Sequence, residues 1–338
     1  MDYPYRVAAQ INMYPMDFPH VEHLLAHQIR VWAPMTDRIV VTIDTHRSRS
    51  GRYRGSNFDT YLTGLRKLTE GFKRDTPQLE VVEVDYSPQA RRAVAQQFFG
   101  TDDMPVKAWD GGPFYAYFYG MHHARARYIA HFDGDMLFGG GSRTWVENAI
   151  AYMESNERTL LTSPLPGPPA ADGRVHGHGS PEPTRFEVNG GPAYRFQHAS
   201  TRIFMLDMER LRTTLGTLPL MQPELLSRIK ARILGNPPDV REAEVILGEV
   251  LRDNDLYRVD MLGEQPGLWS LHPPYRGANF YSQLPSLIAA VESGQVPVAQ
   301  HGHYDVHDSM IDWSSERERT RRSRRLWRLF KDRMTPGA

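Results

Sequence analysis

The stretch "YIAHFDGDMLFGG", residues 128–140, carries an apolar run straight into two aspartates, Asp133 and Asp135, one residue apart. Burying a carboxylate is costly unless a cation or hydrogen bonds compensate it. A greasy strand that ends on two of them therefore predicts something at that end for the acids to hold. An Asp-x-Asp triplet is weak on its own. With 22 aspartates in 338 positions, chance supplies roughly one, and the chain has a second, Asp253-Asn254-Asp255, which reads as a solvated helix end. The first differs in its context: it closes a buried strand, Gly134 separates the acids, and "FGGGS" follows, where glycine lets a ligand approach the backbone.

Outward from this stretch, apolar and helix-like segments alternate. "YRVAAQINMY", "DRIVVTIDT", "LEVVEVDY" and "YIAHFD" read as four strands. "VEHLLAHQIRVW" has Val21, Leu24, Leu25 and Ile29 at helical spacing, and "GGPFYAYFYGMHHARA" reads as a helix leading into the fourth strand. Such alternation predicts an α/β fold with a mainly parallel sheet flanked by helices, whose ligands lie beyond the carboxyl ends of the strands. Asp44, Asp85 and Asp133 each end a different strand, so three segments place carboxylates at one sheet edge. The later part reads as a long Pro/Gly/His loop over 163–183, a strand and helix in "TRIFMLDMERL", a helix in "DVREAEVILGEVLRDN", a strand in "LYRVDML" and a helix in "SQLPSLIAAVESG".

Composition narrows the classes. Hydrophobic residues make up 40% and charged residues 24% of the chain, enough for a substantial core. Net charge is zero, which gives no general field for nucleic acid. There is no cysteine, so disulfide and thiolate chemistry are excluded and any metal takes Asp, Glu or His. No basic start precedes an apolar run in "MDYPYRVAAQINMYP", and no apolar segment approaches about 20 residues, so neither a signal peptide nor a membrane span is expected and a cytoplasmic location is. From Glu316 to Arg333, nine Lys/Arg face three Asp/Glu, with Trp327, Phe330 and Met334 at helical spacing. This basic helical tail either docks on the body, stays solvated, or lies on an anionic membrane surface as a peripheral contact.

A pair of acids at a sheet edge suits Mg²⁺ or Mn²⁺, which bridge one or two carboxylates to substrate phosphates. Here the chain resembles the GT-A superfamily of glycosyltransferases, nearest the inverting, family-2-like branch. The resemblance lies in "WDGGPFYAYFYGMHHARARYIAHFDGD", with Asp110, Gly111 and Gly112 at the turn before the helix. It implies a single GT-A domain: residues 1–140 as the nucleotide-sugar half, 141–313 as the acceptor half, 314–338 as the tail. It also implies that Asp133 and Asp135 hold Mn²⁺ or Mg²⁺ on the diphosphate, that Asn12 and Tyr14 in "AAQINMYP" line the base pocket, and that Asp44 contacts the base. Asp85 either reaches the nucleotide or caps a loop, and Gly111 and Gly112 belong to the donor site. The catalytic base falls on Glu242 or Glu244, without the family's adjacent Glu-Asp pair; a first-turn acid favoured by the helix dipole is the plainer reading. A further metal ligand falls on His272, with His301 and His303 as rivals.

Other residues carry smaller expectations. Arg47, Arg49, Arg52 and Arg54 clamp a diphosphate or form a solvated loop; His198 and Arg202 meet sugar or phosphate; His176 and His178 ride on the long loop. The acceptor, whether a small molecule, a glycan or a lipid-linked group, is not named by the sequence. The competing readings are a nucleotidyltransferase, which normally has a Gly-rich basic loop after its first strand where this chain has "INMYPMDFPH", and a non-catalytic nucleotide-binding protein.

Overall fold

The computed structural model of the chain describes residues 3–47, 57–177 and 182–321. Arg49, Arg52, Arg54, His178, Trp327, Phe330 and Met334 lie outside these residues. The strands are β1 (Tyr5–Met13), β2 (Arg38–Ile43), β3 (Leu79–Glu83), β4 (Ala126–Asp133), β5 (Leu137–Gly139), β6 (Thr159–Pro166), β7 (Thr184–Val188), β8 (Gly191–Phe196), β9 (Ile203–Asp207), β10 (Tyr257–Met261) and β11 (Trp269–Leu271). The helices are α1 (Phe18–Trp32), α2 (Phe58–Asp75), α3 (Pro88–Phe99), α4 (Tyr115–Ala124), α5 (Trp145–Ser155), the single turn α6 (Met208–Arg210), α7 (Leu225–Leu234), α8 (Ala243–Asp253), α9 (Ala278–Glu292) and α10 (Ser314–Thr320).

Nine strands form one path in the order β3-β2-β1-β4-β9-β6-β10-β8-β7, with β11 and β5 attached through β6. β3, β2, β1 and β4 are mutually parallel. β9 runs against both β4 and β6, so β6 and its parallel neighbour β10 again point the way of β4. The mainly parallel α/β sheet expected from the sequence is thus present, with reversed strands at β9 and β8. Strands from either side of residue 140 share it.

The core follows from the pleat. Every residue of β2, "RIVVTI", is buried, as a strand covered on both faces requires. Along β1, Ala8 packs on one face with Phe98 of α3, Phe118 of α4 and Leu247 of α8, while Val7, Ala9 and Ile11 pack on the other with Leu25 of α1, Leu65 of α2 and Val146 of α5. Each fully buried Leu, Ile or Phe contributes about 1.5–3 kcal/mol relative to exposure. Eight of the ten α4 residues are buried, so this helix is an inner layer. It reaches the sheet at Gly120, where a Cβ would stand 2.4 Å from Gln10 Nε2. Packing of α4 on β1 and β2 is what aims the 110–112 turn at the strand ends.

The long loop expected over 163–183 is shorter than read. Residues 163–166 extend the fully buried β6 and pair with β10 and β11. The run "TLLTSPLP" stays a strand although Pro164 lies inside it, level with Met261 of β10; Pro166 ends it. The Asp253–Asp255 triplet is solvent-exposed at the end of α8, with Asp255 in the left-handed region at φ 54° and paired to Arg158. Of the basic tail, α10 and Arg321 are described.

Candidate functional site

At the carboxyl edge of the parallel strands lies a cleft of about 420 Å³, within the range of small-ligand sites. The strand register builds it. Asn12 on β1 is level with Asp133 on β4 and Thr42 on β2, and the Asp44 amide donates to the Met13 carbonyl at 2.9 Å. Three strand ends thus stop together. The 110–112 turn, the start of α8 and Arg276 before α9 complete the walls. Of the sequence candidates, the cleft gathers Asn12, Tyr14, Asp44, Asp110, Gly111, Gly112, Asp133, Gly134, Asp135, Arg202, Glu242 and Glu244.

Asp133 is the last residue of β4, and its side chain remains 42% exposed toward the cleft. Loss of water raises its pKa to about 7, with the negative charges of Asp17 and Glu244 adding and Arg202 and Arg276 opposing. Asp135, by contrast, is 2% exposed. One carboxylate oxygen, Oδ2, is ion-paired with Arg276; the other, Oδ1, is buried without a hydrogen-bond partner. A buried acceptor left unmatched costs about 1–3 kcal/mol, more when charged. Gly134 between them serves packing: its missing Cβ would stand 3.1 Å from Val21 Cγ2 of α1.

Among the described residues the cleft lining is acidic: seven carboxylates stand against the three cations Lys107, Arg202 and Arg276, an excess of four negative charges when all are ionised. His20, in the lining, and His131, buried outside it with Nε2 3.9 Å from Asp133, add no charge. Burial holds His20 well below the ordinary imidazole value and lowers His131 to about 3. An anionic ligand entering this cleft meets repulsion unless a cation accompanies it.

The donor set suits a hard divalent ion of the Mg²⁺ or Mn²⁺ kind, which takes one or two carboxylates and fills its remaining positions from substrate and water. Asp133 supplies a cleft-facing carboxylate and Asp135 the unmatched Oδ1. Among the described residues, no three Asp, Glu or His side chains converge closely enough to hold a metal alone. His272 stands one step behind: it is 3% exposed, with Nε2 3.9 Å from Asp135 Oδ2 and in contact with Arg202, and Nδ1 2.8 Å from Asp305. His301 and His303 are outside the cleft lining. His301 Nδ1 lies 2.9 Å from the Pro169 carbonyl, and His303 stacks on His176 at 4.7 Å.

On the far side, Asp44 is buried and already served. It accepts from the His46 amide at 2.8 Å and the Tyr86 hydroxyl at 2.6 Å, and pairs with Lys107 at 3.0 Å. Burial, then the Asp44 charge, raises the Tyr86 hydroxyl, so it stays a donor. Asn12 Oδ1 accepts from Gln10 at 2.8 Å. The Tyr14 ring packs edge-on against Phe58 at 5.7 Å and below Lys107 at 5.9 Å. Gly111 has φ 88°, a left-handed conformation only glycine adopts cheaply, and Asp110 Oδ1 accepts from the Gly112 amide at 2.9 Å. Asp85 is not among the cleft residues. It is exposed and accepts from the amide and hydroxyl of Ser87, next to the start of α3.

Glu242 is the N-cap residue of α8, and Glu244 lies in its first turn. Glu244 Oε2 accepts from the Thr201 amide at 3.2 Å. It and Arg202 also line a second cavity of about 160 Å³, with Ser163, His198, Arg258, Asp260 and Tyr304. Glu244 therefore stands in the wall between two spaces; Glu242 lines only the larger. In the smaller space Arg258 and Asp260 form a buried bidentate pair at 2.7 Å, leaving Arg258 Nη1 without a hydrogen-bond partner.

Asp17, His20, Lys107, Asp260 and Arg276 enter these sites without having been singled out in the sequence. Arg276 lies in the "HPPYRG" run that holds His272, where the prolines mark a loop but nothing local marks the arginine. Arg47 contacts Asp59 and packs over Phe58, outside the cleft.

The Asp133 shift has a measurable sign. Its carboxyl titrates near 3.8 when unperturbed and near 7 in the folded chain. The fold therefore favours the protonated form, and the cost of ionisation grows from about pH 4 and is complete above about pH 7. In metal-free buffer, Asp133→Asn is expected to raise Tm by no more than about 2 °C at pH 8, because solvent screens a side chain that is 42% exposed, and to leave it unchanged near pH 4. Thermal unfolding across that range checks it.

No protein-family model matches the chain, and no curated protein matches it. Among solved structures the chain is similar to S. aureus TarS. It aligns over 73% of its own length and 54% of TarS 1–349 at 12% identity and TM-score 0.36, and over 84% and 39% of a longer TarS chain at 13% identity and TM-score 0.40. It thus spans about half or less of either TarS chain. It is also similar to the mannosyltransferase PcManGT from Pyrobaculum calidifontis, in complex with GDP-Man and Mn²⁺, over 96% of this chain and 84% of that one at 15% identity and TM-score 0.37. TM-scores below 0.5 leave function to be read from the cleft itself.

Proposed function

We propose that the chain is a metal-dependent, nucleotide-sugar-dependent glycosyltransferase. The observation that carries this reading is the acid pair at the end of β4, with a buried unmatched oxygen on Asp135, in a cleft where carboxylates exceed cations by four among the described residues. Asp133 and Asp135 would hold Mn²⁺ or Mg²⁺, whose charge, when bound, neutralises the diphosphate and the charge that develops as it leaves. Arg202 and Arg276 stand beside the acids and lend two further cations to the same phosphates. Asn12, Tyr14 and Asp44 form the wall for the nucleoside, with Asp44 sharing its oxygens with Lys107 and Tyr86.

The acceptor enters from the smaller cavity, whose wall is Glu244. The carboxylate takes the proton of the acceptor hydroxyl as that oxygen bonds to the anomeric carbon; the bond from that carbon to the diphosphate oxygen breaks, and the nucleoside diphosphate leaves. A single displacement of this kind inverts the anomeric centre. The position of Glu244 between the two spaces favours it over Glu242 as base. The donor then lies mainly on the 1–140 half and the acceptor on the 141–313 half.

A panel of UDP-, GDP-, CDP- and TDP-sugars with and without Mn²⁺ tests the reading by thermal shift. One nucleotide-sugar is expected to stabilise the chain with Mn²⁺, by about 2.7 kcal/mol at a concentration of 100 Kd, and EDTA to remove the effect. Stabilisation by nucleoside triphosphates alone would favour the nucleotidyltransferase instead, and stabilisation by none would end both.

A further inference from the structure

Four of the five large apolar side chains exposed among the described residues belong to one helix, α7: Leu225 at 70%, Leu226 at 78%, Ile229 at 46% and Ile233 at 58%. At 3.6 residues per turn these four share an arc of roughly 100°. Ala231 is the one buried residue of the helix and lies on the opposite side. Arg232 flanks one border of the apolar arc and Lys230 the other, with Arg228 beyond Arg232, and there is no acidic residue between Leu225 and Leu234. A water-facing helix normally reverses this pattern, turning its apolar stripe inward.

We infer that α7 is a docking element for an anionic lipid surface: it lies flat on the headgroups, its four aliphatic side chains enter the acyl boundary, and Arg228, Lys230 and Arg232 meet lipid phosphates. A stripe of low total hydrophobicity bordered by cations is the pattern of an interfacial helix. The charge argues against a second copy of this chain as the occupant, since identical cationic helices repel. The size argues the same way: four side chains fall far short of the roughly 20–30 residues per partner of a stable interface. The helix also borders the cleft. Lys230 stands 5.4 Å over the Trp109 ring, and a Cβ on Gly111 would meet the Asn236 side chain one residue past the α7 cap. Docking therefore sets the 109–112 wall of the cleft beside the lipid surface. The inference stands whether or not the cleft transfers sugar.

The test is co-sedimentation of the full chain with phosphatidylcholine vesicles containing roughly one-third phosphatidylglycerol, and with phosphatidylcholine alone. The wild type is expected to partition onto the anionic vesicles and to be released by high salt. The variant Leu226→Ser/Ile229→Ser/Ile233→Ser is expected to lose about tenfold or more of that partition, with unchanged circular dichroism and Tm because the side chains removed are exposed. Arg228→Gln/Lys230→Gln/Arg232→Gln is expected to erase the preference for phosphatidylglycerol. The inference is overturned if the wild type ignores the vesicles, or if the serine variant binds them as the wild type does. A wild-type dimer in sedimentation velocity that the serine variant dissolves also overturns it, in favour of self-association.

Discussion

Asp135→Asn is expected to weaken Mn²⁺ binding by about 100-fold or more, since it removes one of the two carboxylates and the only buried oxygen among them without a partner. Electron paramagnetic resonance of free Mn²⁺ titrated with the chain measures this directly, without turnover. The fold should survive. Asparagine has the same shape, and Arg276, freed of its ion pair, is 26% exposed and has a path to water. That matters because breaking a fully buried pair costs about 3–5 kcal/mol; here the stranded cation is re-solvated and a smaller loss is expected. Unchanged Mn²⁺ affinity in a folded variant would remove Asp135 from the metal site.

The second large effect falls on Glu244. Glu244→Gln is expected to lower kcat by about 10²–10⁴-fold, the contribution of a placed general base, while donor affinity changes by less than about threefold. The split follows from position: Glu244 sits at the wall of the second cavity, held by Thr201, away from the nucleoside side of the cleft. Glu242→Gln serves as the comparison, expected to affect turnover far less because Glu242 does not line the smaller cavity. If Glu242→Gln gives the large drop instead, the base assignment moves to that residue.

What the sequence made legible was the local and the periodic. β-branched runs located β1 to β4, and the parallel sheet rule then placed Asp44 and Asp133 at one edge, where the strand register brings them. Asp85 obeyed the same rule and still left the cleft. It lies two residues before Ser87 and three before Pro88, so the capping turn before α3 claims its oxygens first. The β7–β8 hairpin was not among the strands read from the sequence, although its turn in "EVNGGPAY" has a local cause: Asn189 and Gly190 have φ 51° and 75°, the left-handed pair a tight hairpin needs. The pairing of Arg276 with Asp135 had no local signal, because the two are 141 positions apart and meet only through the tertiary fold. The helix α7 was itself not read from the sequence, and its exposed stripe would have stayed hidden even if it had been. Periodicity reports that a helix has an apolar face but not whether the protein or a partner covers it.

The central claim is that the acids ending β4 admit a nucleoside diphosphate only together with a divalent cation. Calorimetric titration of the full chain with the nucleoside diphosphate selected by the sugar panel, once in Mn²⁺ and once in EDTA, tests it most directly. We expect the affinity in EDTA to be lower by about tenfold or more, the equivalent of at least about 1.4 kcal/mol, and the Mn²⁺-dependent gain to vanish in Asp135→Asn. Equal affinities in Mn²⁺ and EDTA would contradict the claim, because Lys107, Arg202 and Arg276 would then suffice to hold the diphosphate against the seven carboxylates.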